Sequence, residues 1–526
     1  MNAGVNSTPP QRNLAASIGK NTLFGFVSNF AQMGTRLVTV PIVISHLGLG
    51  GYGIWNIVMM ASTYMRFGSV GVKTAFQKYV AEATGNGDYE KANRLLSTGC
   101  ALMMALSLVI LIPVSLLSQE IAKSAGVPPE FLRSTAGSIS LLACIMMMTN
   151  VGAAYEAIVM GGHRIDLVRK FGTVLTFAEA VAIVIVLHFG YGLFAMACVM
   201  GGSELIYISS CYVVSHRVVP EIRLSIKFLD PTVLRELFRF AGSYQLLNLL
   251  EVVYGSIVPF TILKAFGANS AGVYAVVTRV ATSAVMLQEA FLVPILSGGT
   301  MVYASGSVEK MQALVVKAFK VTLGLALLPM GFIAAFGPTM AYAWTGEADP
   351  SFRLAFWLVC SAFLFRAFSM LSFVLYRTSG KALMDNVLQV LRSVIMLSIV
   401  VFAQRLGFYG VLGGMAFTEL VAMFVMVFTL TRTFDLFHAK LLLPDAGKLM
   451  TAAVLILGAG ALAAHIPLPT DLGGRMLATL KLVEICLGCL LVAWPSLVRT
   501  GAITPVEGRA LFGALLPRRN EPAAAP

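Results

Sequence analysis

The chain is poor in charge. Of its 526 residues only 12% are Asp, Glu, Lys or Arg, roughly half the share of a soluble domain, which excludes a water-soluble globular fold. Acidic residues are the scarcer sign, 25 against 38 basic ones, for a net charge of +13. No nucleic-acid-binding module accompanies that excess, so nucleic acid is not an expected partner. The six histidines, His46, His163, His188, His216, His438 and His465, lie mostly in loops or at the ends of apolar stretches, without metal-ligand spacing. There is no phosphate-cradling P-loop and no nucleotide fold, and no cofactor or catalytic constellation is expected. Cysteine is present seven times, always in apolar sequence. Cys486 and Cys489 form a C-x-x-C, but no second Cys or His pair accompanies them, so they read as small helix-packing residues. The short alternating segments of a membrane β-barrel are also missing. No small-residue cleavage site follows the polar stretch Met1 to Leu14, so the first apolar run is expected to be a retained helix.

What the chain has is long apolar sequence. Hydrophobic residues make up 57% of it, and about 20 of them in a row cross the hydrocarbon core of a bilayer. Fourteen spans are expected, at 21–45, 53–75, 95–117, 134–160, 170–188, 192–215, 239–264, 271–297, 314–336, 352–376, 386–404, 409–431, 449–466 and 476–497. With the N-terminus inside, 25 of the 38 Lys and Arg fall on the cytoplasmic side, 6 on the other and 7 within spans. The positive-inside rule then puts both termini in the cytoplasm.

The sequence also repeats. Gly48 to Trp55, GLGGYGIW, aligns with Gly267 to Tyr274, GANSAGVY, at an offset of 219. The same offset carries Gly87-Asp88-Tyr89-Glu90-Lys91 onto Gly306-Ser307-Val308-Glu309-Lys310. Phe189-Gly190-Tyr191-Gly192 resembles Leu406-Gly407-Phe408-Tyr409-Gly410 at an offset near 217 to 218. The expected fold is therefore all-α and polytopic, with about 14 transmembrane helices in two pseudo-symmetric six-helix lobes plus two extra helices. An even number of spans per half makes the repeats parallel, related by an axis along the membrane normal. The expected divisions are a cytoplasmic segment 1–20, an N-lobe 21–215, an interlobe linker 216–238, a C-lobe 239–432, an appendage 433–498 and a cytoplasmic tail 499–526.

Seven basic residues interrupt the apolar spans: Arg36, Arg66, Lys73, Arg279, Arg366, Arg392 and Lys481. A charge at bilayer depth costs several kcal/mol, so such residues face a bundle interior or a wet cavity, and their positive excess points to an anionic cargo. Lys73 and Lys481 stand close enough to span ends to snorkel. Asn29, Gln32 and Arg36 share one helical face, and Gln245, Asn248 and Glu251 repeat nearly the same stripe in the other half. Ser62, Arg66, Ser69, Lys73 and Gln77 continue a polar face along the second span. Glu156, Glu179, Glu204, Glu251, Glu289 and Glu419 could each neutralise an Arg or bind a coupling proton or Na⁺. Glu251 is the coupling candidate because it lies on the repeated stripe.

The first helix, LGLGGYGIWNIV (Leu47 to Val58) and VAEATGNGDYEKANRLLSTG (Val80 to Gly99) together resemble the N-terminal signature of Wzx-type polysaccharide and O-antigen flippases of the MOP superfamily. That resemblance implies a bacterial inner-membrane protein that moves an oligosaccharide on undecaprenyl diphosphate to the periplasmic leaflet. It implies alternating access around a cationic cavity, with the lipid tail left among membrane lipids. The substrate-binding candidates are Arg36, Arg66, Lys73, Arg279, Arg366, Arg392, Asn29, Gln32, Gln245 and Asn248. H⁺ or Na⁺ and a polysaccharide polymerase are candidate partners. The alternatives are a small-molecule or multidrug exporter of the same superfamily and an integral-membrane glycan enzyme, for whose catalytic loops the short external segments leave little room.

Overall fold

The computed structural model describes residues 34–35, 37–60, 76, 79–80, 82, 86–161, 164–304, 307–379, 381–434, 439–466 and 474–501. Among them there is no β-strand, and twelve helices are long and apolar enough to cross a membrane. The chain is an all-α polytopic membrane protein. Two of the twelve apolar helices, Leu37–Met60 and Tyr254–Val285, run through the glycines Gly48 and Gly267, whose φ angles are 71° and 83°. At each of these kinks two expected spans meet without a loop, which reconciles twelve continuous helices with fourteen crossings.

The repeated motifs turn out to be helix punctuation. Helix α1 is Leu37–Met60 and α2 is Tyr89–Leu116. Asp88 caps α2 by accepting the Lys91 amide at 3.3 Å, with Glu90 in the first turn. In the second half Ser307 caps Val308–Thr345 by accepting the Lys310 amide, also at 3.3 Å, with Glu309 in the first turn. A side-chain acceptor satisfies an otherwise orphaned amide, and an acidic group suits the positive helix end. Gly190 and Gly407, with φ of 78° and 84°, lie within the third repeated motif, just past the ends of the paired helices.

Contacts divide the chain into two compact units, Met1–Gly272 and Val273–Pro526. In the first, α2 is followed by the short α3 (Ser118–Ser124), α4 (Pro129–Gly161), α5 (Ile165–His188) and α6 (Leu193–Val218). A connecting segment then leads into α7 (Pro231–Ala304), whose first part, up to Gly272, belongs to this unit. The α4 helix packs on α6 and α2, and α5 on α6. Small residues allow the close approach, since a Cβ on Gly152 would stand 2.6 Å from Ile208.

The second unit holds the end of α7, then α8 (Val308–Thr345), α9 (Phe352–Thr378), α10 (Ala382–Ala403), α11 (Phe408–Phe434), α12 (Ala439–Ala463) and α13 (Gly474–Arg499). Here α9 packs on α11 and α8, and α10 on α11. At the repeat offset these are the same pairings as in the first unit. The α12–α13 pair leans on α8 through Phe336, Ile456, Ile485 and Cys489. Cys489 fills that seam beside Gly460 while Cys486 is exposed, and all seven cysteines are free thiols.

Within the first unit the two glycine motifs meet. A Cβ on Gly53 would lie 2.5 Å from the Gly272 amide nitrogen and 2.7 Å from the Ala268 carbonyl oxygen. A Cβ on Gly272 would collide with the carbonyl of Leu49. Gly53 and Gly272 are repeat partners, as are Leu49 and Ala268, and each glycine faces backbone of the other motif. Only hydrogen at each glycine permits backbones this close.

Candidate functional site

The intramembrane cations were the sequence's strongest signal. Asn29, Gln32, Arg36, Arg66 and Lys73 lie outside the described residues. Gln245, Asn248 and Glu251 stand on α7, but their side chains lie outside the description. Four of the seven basic residues can be placed.

Arg279 is half-buried on α7, twelve residues beyond the Gly267 kink, about 18 Å along a helix of ordinary rise. It stands within the apolar span Tyr254–Val285. Among the described residues it has no hydrogen bond and no ion pair. The hydroxyls of Thr278 and Thr282 beside it donate to backbone carbonyls of their own helix, at 2.7 Å to Tyr274 and 2.6 Å to Thr278.

Arg366, on α9, is half-buried and engaged with its surroundings. At its level Gln288 of α7, 2% exposed, donates to the Ala367 carbonyl at 3.3 Å. This cross-helix bond fixes α7 against α9 where Arg366 emerges. Gln288 was missed in the sequence because a lone Gln in an apolar run carries no spacing signal.

Arg392 has a different environment. It is 7% exposed on α10, and its Nη2 donates to Glu419 Oε1 on α11 at 2.5 Å, with Glu419 1% exposed. Its Nη1 donates to Gln389 Oε1 at 3.1 Å. The two charges neutralise one another in a dry setting, so this guanidinium is committed to holding α10 against α11. Lys481 is committed as well. It donates to the Ile466 carbonyl at the end of α12 and to Glu484 at 3.3 Å, as a snorkelling residue does.

The acidic candidates of the first unit, Glu156, Glu179 and Glu204, each have partners of their own. Ser203 of α6 donates to Glu179 of α5 in a short hydrogen bond. Tyr207, one turn beyond Ser203 on α6, interacts with Glu156 of α4. Glu204 is half-buried on the same helix and is also engaged. Asn150 of α4 donates to Ser107 of α2 at 3.2 Å. Among the described residues no group of three His, Cys, Asp or Glu is placed to hold a metal ion.

Chemically, the described part offers one guanidinium inside an apolar span without a carboxylate partner and a second beside a cross-helix amide. Such groups can receive an anion, because Arg presents planar bidentate donors to phosphate and carboxylate oxygens.

No known protein-family model matches the chain. It is 21% identical over 322 residues to the uncharacterized membrane protein EpsK of Bacillus subtilis (strain 168), covering 59% of this chain and 61% of EpsK. The chain thus spans about three fifths of the curated relative it matches. Among solved structures it resembles the lipid II flippase MurJ in an inward closed conformation, with a TM-score of 0.69 and 11% identity over 90% of this chain and 97% of MurJ. It also resembles the inward-facing conformation of a multidrug resistance MATE family transporter of the MOP superfamily. There the TM-score is 0.66, with 19% identity over 77% of this chain and 95% of the transporter. The chain has the fold these transporters share.

Proposed function

We propose that this protein is a flippase for lipid-linked oligosaccharide, carrying a glycan on undecaprenyl diphosphate across the bacterial inner membrane. The observation that carries the reading is Arg279: a guanidinium inside an apolar span, half-buried, with no carboxylate to neutralise it among the described residues. Retaining such a charge costs several kcal/mol in hydrocarbon, so a functional anion is the expected complement. The cationic excess within the spans supports the same reading: Arg36, Arg66, Lys73 and Arg366 are further candidates for the anionic group, and Asn29, Gln32, Gln245 and Asn248 for hydrogen bonds to sugars. Arg392, paired with Glu419, contributes structure rather than cargo contact in this conformation.

In this reading transport proceeds by alternating access, and the six-helix halves are 21–215 and 239–432. Both termini lie in the cytoplasm, and the chain catalyses no covalent step. Energy comes from a gradient, with Glu251 as the residue that takes up H⁺ or Na⁺. A polysaccharide polymerase consumes the delivered units.

The second reading, an ion-coupled exporter of small molecules, draws on the fold shared with the MATE transporter and on the carboxylates Glu156, Glu179 and Glu204 within its spans. Deletion of the gene separates the two. The flippase reading expects loss of surface polysaccharide with lipid-linked repeat units trapped in the cell and drug tolerance unchanged. Normal surface polysaccharide without a redundant flippase, alongside raised drug sensitivity, overturns it in favour of the exporter.

A further inference from the structure

The segment between α6 and α7, residues 219–230, is more than a tether. Its inner side is built into the first unit. Val219 and Ile222 are buried in a cluster with Leu95, Leu96 and Ala157. Its backbone is fastened to α2 by side chains one turn apart. Asn93 Oδ1 accepts the Arg223 amide at 2.8 Å, and its Nδ2 donates to the Glu221 carbonyl at 3.3 Å. Ser97 Oγ accepts the Ser225 amide at 3.1 Å, and Thr98 Oγ1 accepts the Asp230 amide at 2.9 Å. All three α2 side chains are buried.

The outer side is the reverse. Ile226 is 84% exposed and Leu229 47% exposed, although neither lies in a transmembrane helix. Arg223 and Lys227 flank Ile226 and are exposed, as is Arg217 at the end of α6. Of the acids on the segment, Asp230 is turned to Arg94 at 3.6 Å and to Thr232, which leaves Glu221 exposed. An independent marker gives the depth. Tyr155, Tyr212 and His216 cluster at the adjoining ends of α4 and α6, with Tyr155 and Tyr212 edge to face at 5.0 Å and Tyr212 and His216 at 4.5 Å. Amphipathic rings of this kind collect at the level of lipid headgroups.

We propose that residues 219–230 form an interfacial anchor docked on the anionic leaflet of the bilayer. Ile226 and Leu229 enter the boundary of the acyl chains, and Arg223 and Lys227 meet the phosphates of acidic phospholipids. Burial of apolar tips and attraction of basic groups to acidic headgroups are the two contributions that hold such elements at a membrane surface. The hydrogen bonds to α2 make the anchor stiff, so the unit is held at a set depth. This inference does not depend on the cargo.

The test uses the full chain reconstituted in vesicles of phosphatidylcholine alone or mixed with phosphatidylglycerol. The wild type is expected to unfold several degrees higher in the acidic vesicles, and salt should diminish the gain because surface attraction is screened. Ile226→Asp and the double substitution Arg223→Gln/Lys227→Gln should each lose at least half of it, while melting as the wild type does in detergent. An unchanged gain in the variants, or none in the wild type, overturns the anchor. If a variant melts early in detergent, Ile226→Trp decides: its fluorescence should be quenched by brominated phosphatidylglycerol beyond the native tryptophan background. Absence of that extra quenching also overturns the proposal, and would leave the exposed tip to a protein partner.

Discussion

Two arginines with the same sequence signature have opposite physical situations. Arg392 shares its charge with Glu419 at 2.5 Å in a dry contact, whereas Arg279 has no such neighbour among the described residues. Removing one partner of a buried pair strands the other and costs about 3–5 kcal/mol, while replacing both with apolar residues is often neutral. Arg392→Met or Glu419→Leu alone should therefore lower the unfolding temperature in detergent sharply, and the double variant should recover most of the loss. Additive losses would contradict a paired role. Arg279→Ala should leave folding intact but weaken glycan binding by about 1.5–3 kcal/mol, as expected for a charge-assisted hydrogen bond. Export of labelled lipid-linked glycan from reconstituted vesicles measures this. Arg279→Lys should restore part of the activity if charge dominates, and little if bidentate geometry does. Sequence alone made both arginines cargo candidates, with Arg392 nearer a span end, because it shows that a charge lies in a span but not what stands opposite it.

At the scale of elements, the glycines separate by role. Gly272 faces the Leu49 carbonyl, so Gly272→Val cannot be accommodated without moving backbone and should destabilise by about 1–3 kcal/mol. Gly48 has open space around it but a φ of 71°. Gly48→Ala should cost only the left-handed strain of roughly 1–2 kcal/mol. Gly202 lies within α6 in open space, and Gly202→Ala should stabilise slightly, by up to about 1 kcal/mol. Chemical unfolding of the three variants ranks them. The repeat motifs were legible in the sequence as repetition but not as capping and kinking. Asp88 and Ser307 become equivalent only when each is seen accepting an amide two residues into its helix. Gly53 and Gly272 become a seam only when the chain brings together segments 219 residues apart.

For the whole molecule, the crossings and the positive-inside rule make a topology prediction. Reporter fusions after Gly126, Gly346 or Gly407 should be active in the periplasm, and fusions after Arg164, Arg223 or Thr500 in the cytoplasm. A consistent reversal would invert the proposed direction of transport, and mixed results would break the count of crossings. The segment 219–230 fits this frame. The positive-inside rule predicts that it faces the cytoplasm, and its sequence alone reads only as a linker between halves. Its attachment to α2 could have been suspected from Asn93 and Ser97, polar residues one turn apart on the face that packs inward.

Composition and pattern alone settled that this chain lives in a bilayer as helices, because apolar runs long enough to cross hydrocarbon and a skew of loop charge are properties of local sequence. Its internal duplication was equally legible, since equal spacing survives without coordinates. Tertiary structure decided the rest: which buried charge is neutralised, which glycine bears a contact, and which loop is fastened down. Those outcomes depend on neighbours distant in the chain, and the energy of a charge or a close packing is set by what surrounds it rather than by what precedes it.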